Sequence, residues 1–212
     1  MASSPQAAGE LAAIKVHGLT RESFLLRSTL AAGTAYGALS ATPYITRALA
    51  QSGVTDIDIA NYALTLEYLE SKFYEMGVKT VKGLSADDTK LAKKIRDDEV
   101  AHVDALISLI KSAGGKPAAR PTFDFGGAFA SPAAFLKTAN VLEDTGVSAY
   151  NGAGTLIKSV DVLGAAGSIV QIEARHAALI RLTRNKPPAP LAFDKASQMA
   201  TVLKAVKPFI KA

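Results

Sequence analysis

The stretches that decide the fold are DDEVAHVDAL at residues 97–106 and SIVQIEARHAALIRL at residues 168–182. In each stretch a glutamate precedes a histidine by three positions, and the chain has only three histidines. The two pairs are Glu99–His102 and Glu173–His176. Positions i and i+3 share one helix face, so each pair can point at one inward site. A single E-x-x-H match is weak evidence, but two matches predict two helices that bring ligands to a common site.

Two further stretches repeat each other in a similar way. ALTLEYLESKFYEMGV at residues 63–78 contains Glu67 and Tyr74, and VLEDTGVSAYNGAG at residues 141–154 contains Glu143 and Tyr150. A separation of seven residues returns to the same helix face. The sequence therefore predicts a bundle of two similar halves, each with one Glu…Tyr helix and one E-x-x-H helix.

Capping and breaking residues give the bounds of four helices. The predicted helices run from Thr55 to about Lys82, from Ser85 to Ser112, from Ser131 to about Lys158, and from about Ser159 to Arg184. Prolines and glycines exclude a long helix from residues 114–131, which are long enough to cross the bundle from end to end. One long crossover between two short hairpins matches a known four-helix-bundle connectivity.

The turn positions test this arrangement, because residues that face each other across an antiparallel hairpin have its turn at their midpoint. The midpoint of Glu67 and Glu99 is Gly83, a turn residue, and the midpoint of Glu143 and Glu173 is Lys158, beside the second predicted turn. Both turns come from capping and breaker residues rather than from the ligands. All six candidate ligands are therefore expected at one level of the bundle.

Composition supports an all-α protein and excludes several kinds of chemistry. Hydrophobic residues make up 49% of the 212 residues, aromatic residues only 7%, and tryptophan is absent, which favours helices packed through small aliphatic side chains. The absence of cysteine excludes disulfides, zinc–thiolate sites, a thiol nucleophile and iron–sulfur clusters on this chain. The net charge of +5 is spread over scattered lysines, so we expect a solvated surface rather than a nucleic-acid site.

The chain divides into four predicted parts: a flexible N-terminus at 1–19, a signal-like or accessory helical segment at 20–53, the bundle at 54–184, and a C-terminal extension at 185–212 with a short helix within 194–211. The second part begins like a twin-arginine export signal, but Glu22 stands at the second arginine position. We therefore favour a cytoplasmic protein, with export to the cell envelope as the alternative. No segment is long and apolar enough for a transmembrane span.

The six candidate ligands suit a pair of divalent first-row metals. Carboxylates bridge two ions and offset their charge, while each imidazole takes one terminal position. The near-symmetric set predicts two metals of similar affinity. The candidate ligands are Glu67, Glu99, His102, Glu143, Glu173 and His176.

Three neighbouring residues have open roles. Glu70 is a rival to Glu67 because it lies one turn further along the same stripe, but only Glu67 reproduces the spacing to a tyrosine seen in the other half. Tyr74 and Tyr150 either hydrogen-bond the ligand carboxylates and orient them, or pack at the bundle edge with their hydroxyls in water.

The four quoted stretches resemble the ferritin-like di-iron/di-manganese carboxylate superfamily, and within it the bacterial ferritin-like domain proteins related to desiccation-related proteins. The resemblance covers residues 54–184 and implies an antiparallel ferritin-like four-helix bundle. It also implies a di-iron or di-manganese site in which Glu99 and Glu173 bridge the metals. Glu67, Glu143, His102 and His176 would then be terminal ligands.

The resemblance favours a homo-oligomeric metalloprotein that reacts with oxygen or peroxide, as a ferroxidase or a catalase-type oxidoreductase, under oxidative or drying stress. No catalytic residue beyond the metal ligands and no organic cofactor is expected. Without cysteine the chain has no built-in electron-transfer centre, which favours these reactions over peroxide reduction. The alternative is a non-catalytic structural or stress-protective bundle. A third reading is a basic assembly protein that uses the N-terminal segment.

Overall fold

The structure is a computed structural model that describes residues 53–211. The predicted flexible N-terminus, and the signal-like or accessory segment apart from Gly53, lie outside the described residues.

Four long helices form two hairpins joined by a long crossover. They are α1 (Asp56–Thr80), α2 (Ala86–Ser112), α3 (Pro132–Gly154) and α4 (Val160–Thr183). The α1–α2 pair and the α3–α4 pair have the most extensive contacts, as expected for antiparallel helices joined by short turns. The predicted all-α antiparallel four-helix bundle is confirmed. None of the helices within residues 53–211 combines the length and the hydrophobicity that a membrane crossing needs.

Side-chain caps explain where the helices begin. Thr55 and Asp58 form a reciprocal capping box at the start of α1, so the first free backbone N–H groups are satisfied. Serines at positions 85, 131 and 159 each accept a hydrogen bond from the backbone N–H three residues later. Gly83 lies in the α1–α2 turn with a φ of +82°, a conformation that favours glycine. The α3 helix ends at Gly154, before the predicted Lys158, because its last turn contains Gly152 and Gly154.

The crossover and the C-terminal extension close one side of the bundle. The crossover contains strand β1 (Thr122–Phe123) and a 3₁₀ turn at Gly126–Phe129. The extension contains α5 (Met199–Val206), followed by a 3₁₀ turn and strand β2 (Ile210–Lys211), which pairs antiparallel with β1. Sequence analysis predicted the short helix but not this pairing, since two-residue strands carry no detectable period.

Aromatic and aliphatic side chains fill the core on both sides of the predicted ligand level. Phe73 and Phe135 stack with ring centroids 5.0 Å apart, and Phe125 and Phe129 of the crossover pack around them. The buried face of α5 joins the same cluster. The site described next is therefore enclosed by packed helices.

Candidate metal centre

All six predicted ligands are buried and meet in the middle of the bundle. They form two overlapping groups, and within each group the candidate ligand atoms lie within 4.8 Å of one another. Glu99 and Glu173 belong to both groups. The first position consists of Glu67, Glu99, His102 and Glu173, and the second position consists of Glu99, Glu143, Glu173 and His176.

Each helix contributes to this centre because its ligands lie on the stripe that faces the core. Glu99 and His102 are one turn apart on α2, and Glu173 and His176 are one turn apart on α4. Aliphatic residues on the same stripes, such as Ile95 and Ile169, are buried on the two sides of this level. The packing of the stripes therefore determines the depth of the centre.

The two imidazoles turn the same ring nitrogen toward the carboxylates. His102 Nδ1 lies 3.2 Å from Glu67 Oε2 and 3.2 Å from Glu173 Oε1. His176 Nδ1 lies 3.0 Å from Glu99 Oε1 and 3.5 Å from Glu143 Oε2. The Nδ1 atom of His176 and the Oε1 atom of Glu99 are close enough for a hydrogen bond, but their relative orientation does not form one. Both nitrogens thus lie among oxygens as ligands around a cation would.

The two predicted tyrosines hold the terminal glutamates reciprocally across the bundle. The Tyr150 hydroxyl on α3 donates a hydrogen bond of 2.5 Å to Glu67 Oε1 on α1. The Tyr74 hydroxyl on α1 donates one of 2.5 Å to Glu143 Oε1 on α3. Burial and the accepting carboxylates raise the pKa of both hydroxyls, which therefore stay donors. Of the two roles considered for these tyrosines, the structure places their hydroxyls on carboxylates rather than in water.

Glu70 is also buried, beside the six rather than among them. Its carboxylate is absent from both ligand groups, and both of its oxygens lack a hydrogen-bond partner. Glu67, by contrast, accepts from Tyr150 and contacts His102. The geometry thus favours Glu67 over Glu70 for the first position.

Five buried glutamates in one place perturb one another strongly. Burial and the carboxylate of Glu67 raise the pKa of Glu99 to about 8. Burial and the surrounding carboxylates raise the pKa of Glu70 and of Glu173 well above the ordinary value. Burial alone would lower the pKa of the histidines, but their carboxylate partners raise it, to about 12 for His102 and about 11 for His176. In the absence of cations, protons on these carboxylates and imidazoles offset the negative charge of the centre.

The donor set fits divalent cations, as the unsatisfied atoms of the core show. Among the described residues, eight buried side-chain atoms have no hydrogen-bond partner, and only the Tyr62 hydroxyl is not a carboxylate oxygen or an imidazole nitrogen. Native proteins leave few buried polar atoms unpaired, so a concentration at one site needs an explanation. Bound cations would satisfy these atoms together. The other seven are Glu70 Oε1 and Oε2, Glu99 Oε1, Glu143 Oε2, Glu173 Oε1 and Oε2, and His176 Nδ1.

Sequence analysis missed one carboxylate of the site, Asp98. Its Oδ2 atom lies 3.0 Å from Nε2 of His176, on the side of the ring away from the centre. Although partial burial favours the neutral acid, Lys94 and His176 hold the pKa of Asp98 below its ordinary value. Asp98 directly precedes Glu99 and so points to a different face of α2, which is why an argument from one helix face did not find it.

A small apolar cavity inside the bundle is lined by residues of all four long helices. It has a volume of about 20 Å³, which is room for roughly one water-sized molecule. The Tyr150 ring lines it, and the hydroxyl of the same residue bonds Glu67. Other lining residues include Tyr62, Leu66, Leu106 and Val162.

Comparison with known proteins agrees with this architecture. The crystal structure of a conserved hypothetical protein from Mycobacterium tuberculosis has a similar fold, with a TM-score of 0.56 and 16% sequence identity over 65% of this chain and 96% of that chain. No curated protein matches the sequence. The family model of the ferritin-like domain matches residues 55–186, which include the whole bundle and all six candidate ligands. The chain belongs to the ferritin-like domain family.

Proposed function

We propose that this protein binds two divalent first-row metal ions, iron or manganese, and uses them to react with oxygen or peroxide. The observation that carries the proposal is the set of buried carboxylate and imidazole atoms without partners, which falls into two overlapping groups of four residues. In each group the mixture of oxygen and nitrogen donors suits iron and manganese.

Charge balance supports two ions rather than one. Glu67, Glu99, Glu143 and Glu173, when ionised, carry as much negative charge as two divalent cations carry positive charge. With neutral imidazoles, a single divalent ion would leave two of these carboxylates either charged, which is costly in a packed core, or protonated. Two ions neutralise all four, and Glu70, whose pKa is raised by burial and by the other carboxylates, adds a negative charge only if it loses its proton.

When bound, the metal pair would supply redox electrons and coordination positions for an oxygen-containing substrate. The residues of the chain prepare the place for it. Glu99 and Glu173 hold both positions, and the hydroxyls of Tyr150 and Tyr74 fix the carboxylates of Glu67 and Glu143 in one orientation. Packed helices exclude bulk water, and the cavity beside Tyr150 has space for a small molecule such as dioxygen.

Loading the centre requires that protons leave it, because metals bind deprotonated carboxylates and neutral imidazoles. The raised pKa values of Glu99, His102 and His176 mean that these groups carry protons near neutral pH in the absence of cations. Metal affinity is therefore expected to increase as the pH rises from 6 to 8.

A second candidate function is a metal pair that only stabilises the bundle. It is favoured by the fact that the six ligands come from all four long helices, so two ions would cross-link them. A structural role of this kind needs metal binding but no turnover.

The experiment that tests both candidates starts with elemental analysis of the protein purified from its native host, counting iron, manganese and zinc per chain. Absorption spectra are then recorded while oxygen is added to the reduced protein, or peroxide to the protein as isolated. We expect two irons or manganeses per chain and turnover of oxygen or peroxide. Zinc, or a metal pair inert to both reagents, would support the structural role, and a metal-free native protein would rule out the centre.

A matched control distinguishes the loss of a candidate metal ligand from the loss of a surface carboxylate. Glu75 lies on α1 like Glu67, but its carboxylate pairs with Lys72 and Lys79 at the surface. The Glu75→Gln variant should keep the wild-type metal content and turnover, while Glu67→Gln should lose metal from the first position.

A further inference from the structure

The two halves of the bundle repeat their ligands but differ at one buried position beside them. Glu67 of α1 matches Glu143 of α3, and Tyr74 matches Tyr150. At the same offset, Glu70 of α1 matches Gly146 of α3. The repeat therefore has a carboxylate in one half where the other half has no side chain.

The side chain of Glu70 occupies the space that the glycine leaves. A Cβ atom added at Gly146 would lie 2.8 Å from Glu173 Oε2, 3.1 Å from Glu70 Oε1 and 3.6 Å from Glu70 Oε2. The carboxylate of Glu70 thus crosses from α1 to the backbone of α3, next to Glu173 and one turn from Glu143. Glu143 belongs to the second position only, and Glu173 belongs to both positions.

Within residues 53–211, no group satisfies this carboxylate. Glu70 is 2% exposed, and neither oxygen has a hydrogen-bond partner. Protonation would remove the charge, but the hydroxyl so formed would still need an acceptor. A buried carboxylate among four others is costly, and a cation is the partner that would offset the cost.

A second difference between the halves falls on the same metal position. His176 has a carboxylate behind its ring, since Asp98 Oδ2 lies 3.0 Å from Nε2. The residue that matches Asp98 in the other half is Ile172, which cannot support His102 in this way. A carboxylate behind a metal-bound imidazole orients the ring and makes it a stronger ligand.

From these two differences we infer that Glu70 is a fifth carboxylate ligand, which serves the second metal position and makes the two positions of the centre unequal. The inference rests on the proposed metal centre and deepens it. The second position has Glu70 and the Asp98–His176 pair in addition to its own carboxylates, so it binds a divalent cation more tightly than the first. The six-ligand repeat alone predicts two metal positions of similar affinity. Glu70 and Asp98, which the repeat does not include, make them unequal.

The experiment is a calorimetric titration of the metal-free full chain with Mn²⁺ alone, for the wild type, Glu70→Gln and the control Glu75→Gln. The wild type should bind two Mn²⁺ in two steps of different affinity. Glu70→Gln should lose at least about 10-fold in the tight step and leave the weak step unchanged. The control removes one surface carboxylate from the same helix and should titrate like the wild type.

A structural role for Glu70 would have a different signature. If Glu70 only packs against Gly146, the isosteric Gln variant keeps both steps, and that result overturns the inference. If it is a ligand, metal-free Glu70→Gln should melt at the same or a higher temperature than the wild type, because one buried acid is gone, while its tight step weakens. A weaker tight step without a lower melting temperature therefore distinguishes a ligand from a packing residue.

The wild type alone also tests the inference if a variant does not fold. Electron paramagnetic resonance of the half-loaded protein should show Mn²⁺ in one environment, and two equal affinities with equal occupancy would contradict it. Two unequal Mn²⁺ sites without turnover of oxygen or peroxide would support the inference and contradict the proposed reaction only. A wild type that binds no Mn²⁺ would overturn both.

Discussion

The α1–α2 hairpin and the α3–α4 hairpin provide the same ligands in different surroundings. Each gives one glutamate that belongs to a single ligand group, one glutamate that belongs to both groups, one histidine, and one tyrosine that bonds a glutamate of the other hairpin. They differ at Glu70, which is matched by Gly146, and at Asp98, which is matched by Ile172. The ligands are thus repeated while the residues around them are not, and it is these neighbours that would set the properties of each metal position.

The residues around the two positions also differ in a second respect. The apolar cavity is lined by Tyr150, whose hydroxyl bonds Glu67 of the first position. His102 is 8% exposed, against 3% for His176. The ring of Tyr150 thus lines a cavity near Glu67, whereas Glu70 and Asp98 lie beside residues of the second position.

The largest effect is expected where the two hairpins share a ligand. Glu99→Ala removes a carboxylate that belongs to both groups, so we expect the variant to lose both metals. Glu67→Ala removes a ligand of the first position only and should keep close to one metal per chain. Elemental analysis after metal loading and desalting measures the stoichiometry of each variant.

Glu75→Ala is the control for Glu99→Ala, because it removes a glutamate that pairs with lysines at the surface. It should retain two metals per chain. Should Glu99→Ala also bind two metals, the assignment of Glu99 to a shared position would be wrong.

Substitution of the two tyrosines tests each metal position separately without removing a ligand. Tyr150→Phe deletes the hydrogen bond to Glu67, and Tyr74→Phe deletes the one to Glu143. Loss of a group that orients a metal ligand typically lowers affinity by about 10- to 100-fold. We expect Tyr150→Phe to weaken the first position and Tyr74→Phe the second, as measured by stepwise Mn²⁺ titration. Equal weakening of both steps in either variant would show that the positions do not act separately.

The sequence predicted most of the fold because its signals are local. Capping residues such as Thr55 and Ser131 mark helix starts, and the repeated Glu…Tyr and E-x-x-H spacings report which faces point inward. The turn midpoints then bring the ligands to one level without any long-range information. The predicted all-α bundle followed from these signals together.

The parts that sequence analysis missed depend on which helices are neighbours. Glu70 reaches α3 because Gly146 leaves space there, and Asp98 reaches His176 across the bundle, so neither contact has a signal within one helix. The β1–β2 pair joins two-residue strands from distant parts of the chain. A contact between single side chains of different helices can be found only in the packed structure, whereas the ligand stripe of one helix can be predicted from its sequence.

A substitution of Gly146, the glycine that faces Glu70, tests whether the position of the Glu70 carboxylate affects metal binding. Gly146→Ala places a methyl group 2.8 Å from Glu173 Oε2 and 3.1 Å from Glu70 Oε1, so both carboxylates must move. Overpacking of this kind costs about 1–3 kcal/mol, partly offset by the better helix propensity of alanine. We expect lower thermal stability together with a weaker tight step in the Mn²⁺ titration.

Gly115→Ala is the packing control for this variant, because it crowds the core at the end of α2 without contacting the centre. Its methyl group would lie 2.7 Å from Ile57 Cγ2 and 3.0 Å from Ile110 Cγ2. It should lower the free energy of unfolding by a similar amount, about 1–3 kcal/mol, and leave the ratio of the two metal affinities unchanged. An equal change of that ratio in both variants would attribute the effect of Gly146→Ala to loss of stability rather than to displaced ligands.

The smallest effect is expected at Asp98, which contacts a candidate ligand from outside the centre. Asp98→Asn keeps the size of the side chain but removes the charge that supports Nε2 of His176, so the second position should weaken by about 10-fold. The first position should not change, since the residue that matches Asp98 in the sequence repeat is the uncharged Ile172. Stepwise Mn²⁺ titration measures both affinities, and Asp97→Asn, an exposed neighbour on α2, is the control. Because Asp98 and Glu70 are both expected to act on the second position, each variant should bring the two affinities closer together. Weaker binding at the first position in Asp98→Asn would instead mean that the differences between the hairpins do not set the two metal affinities.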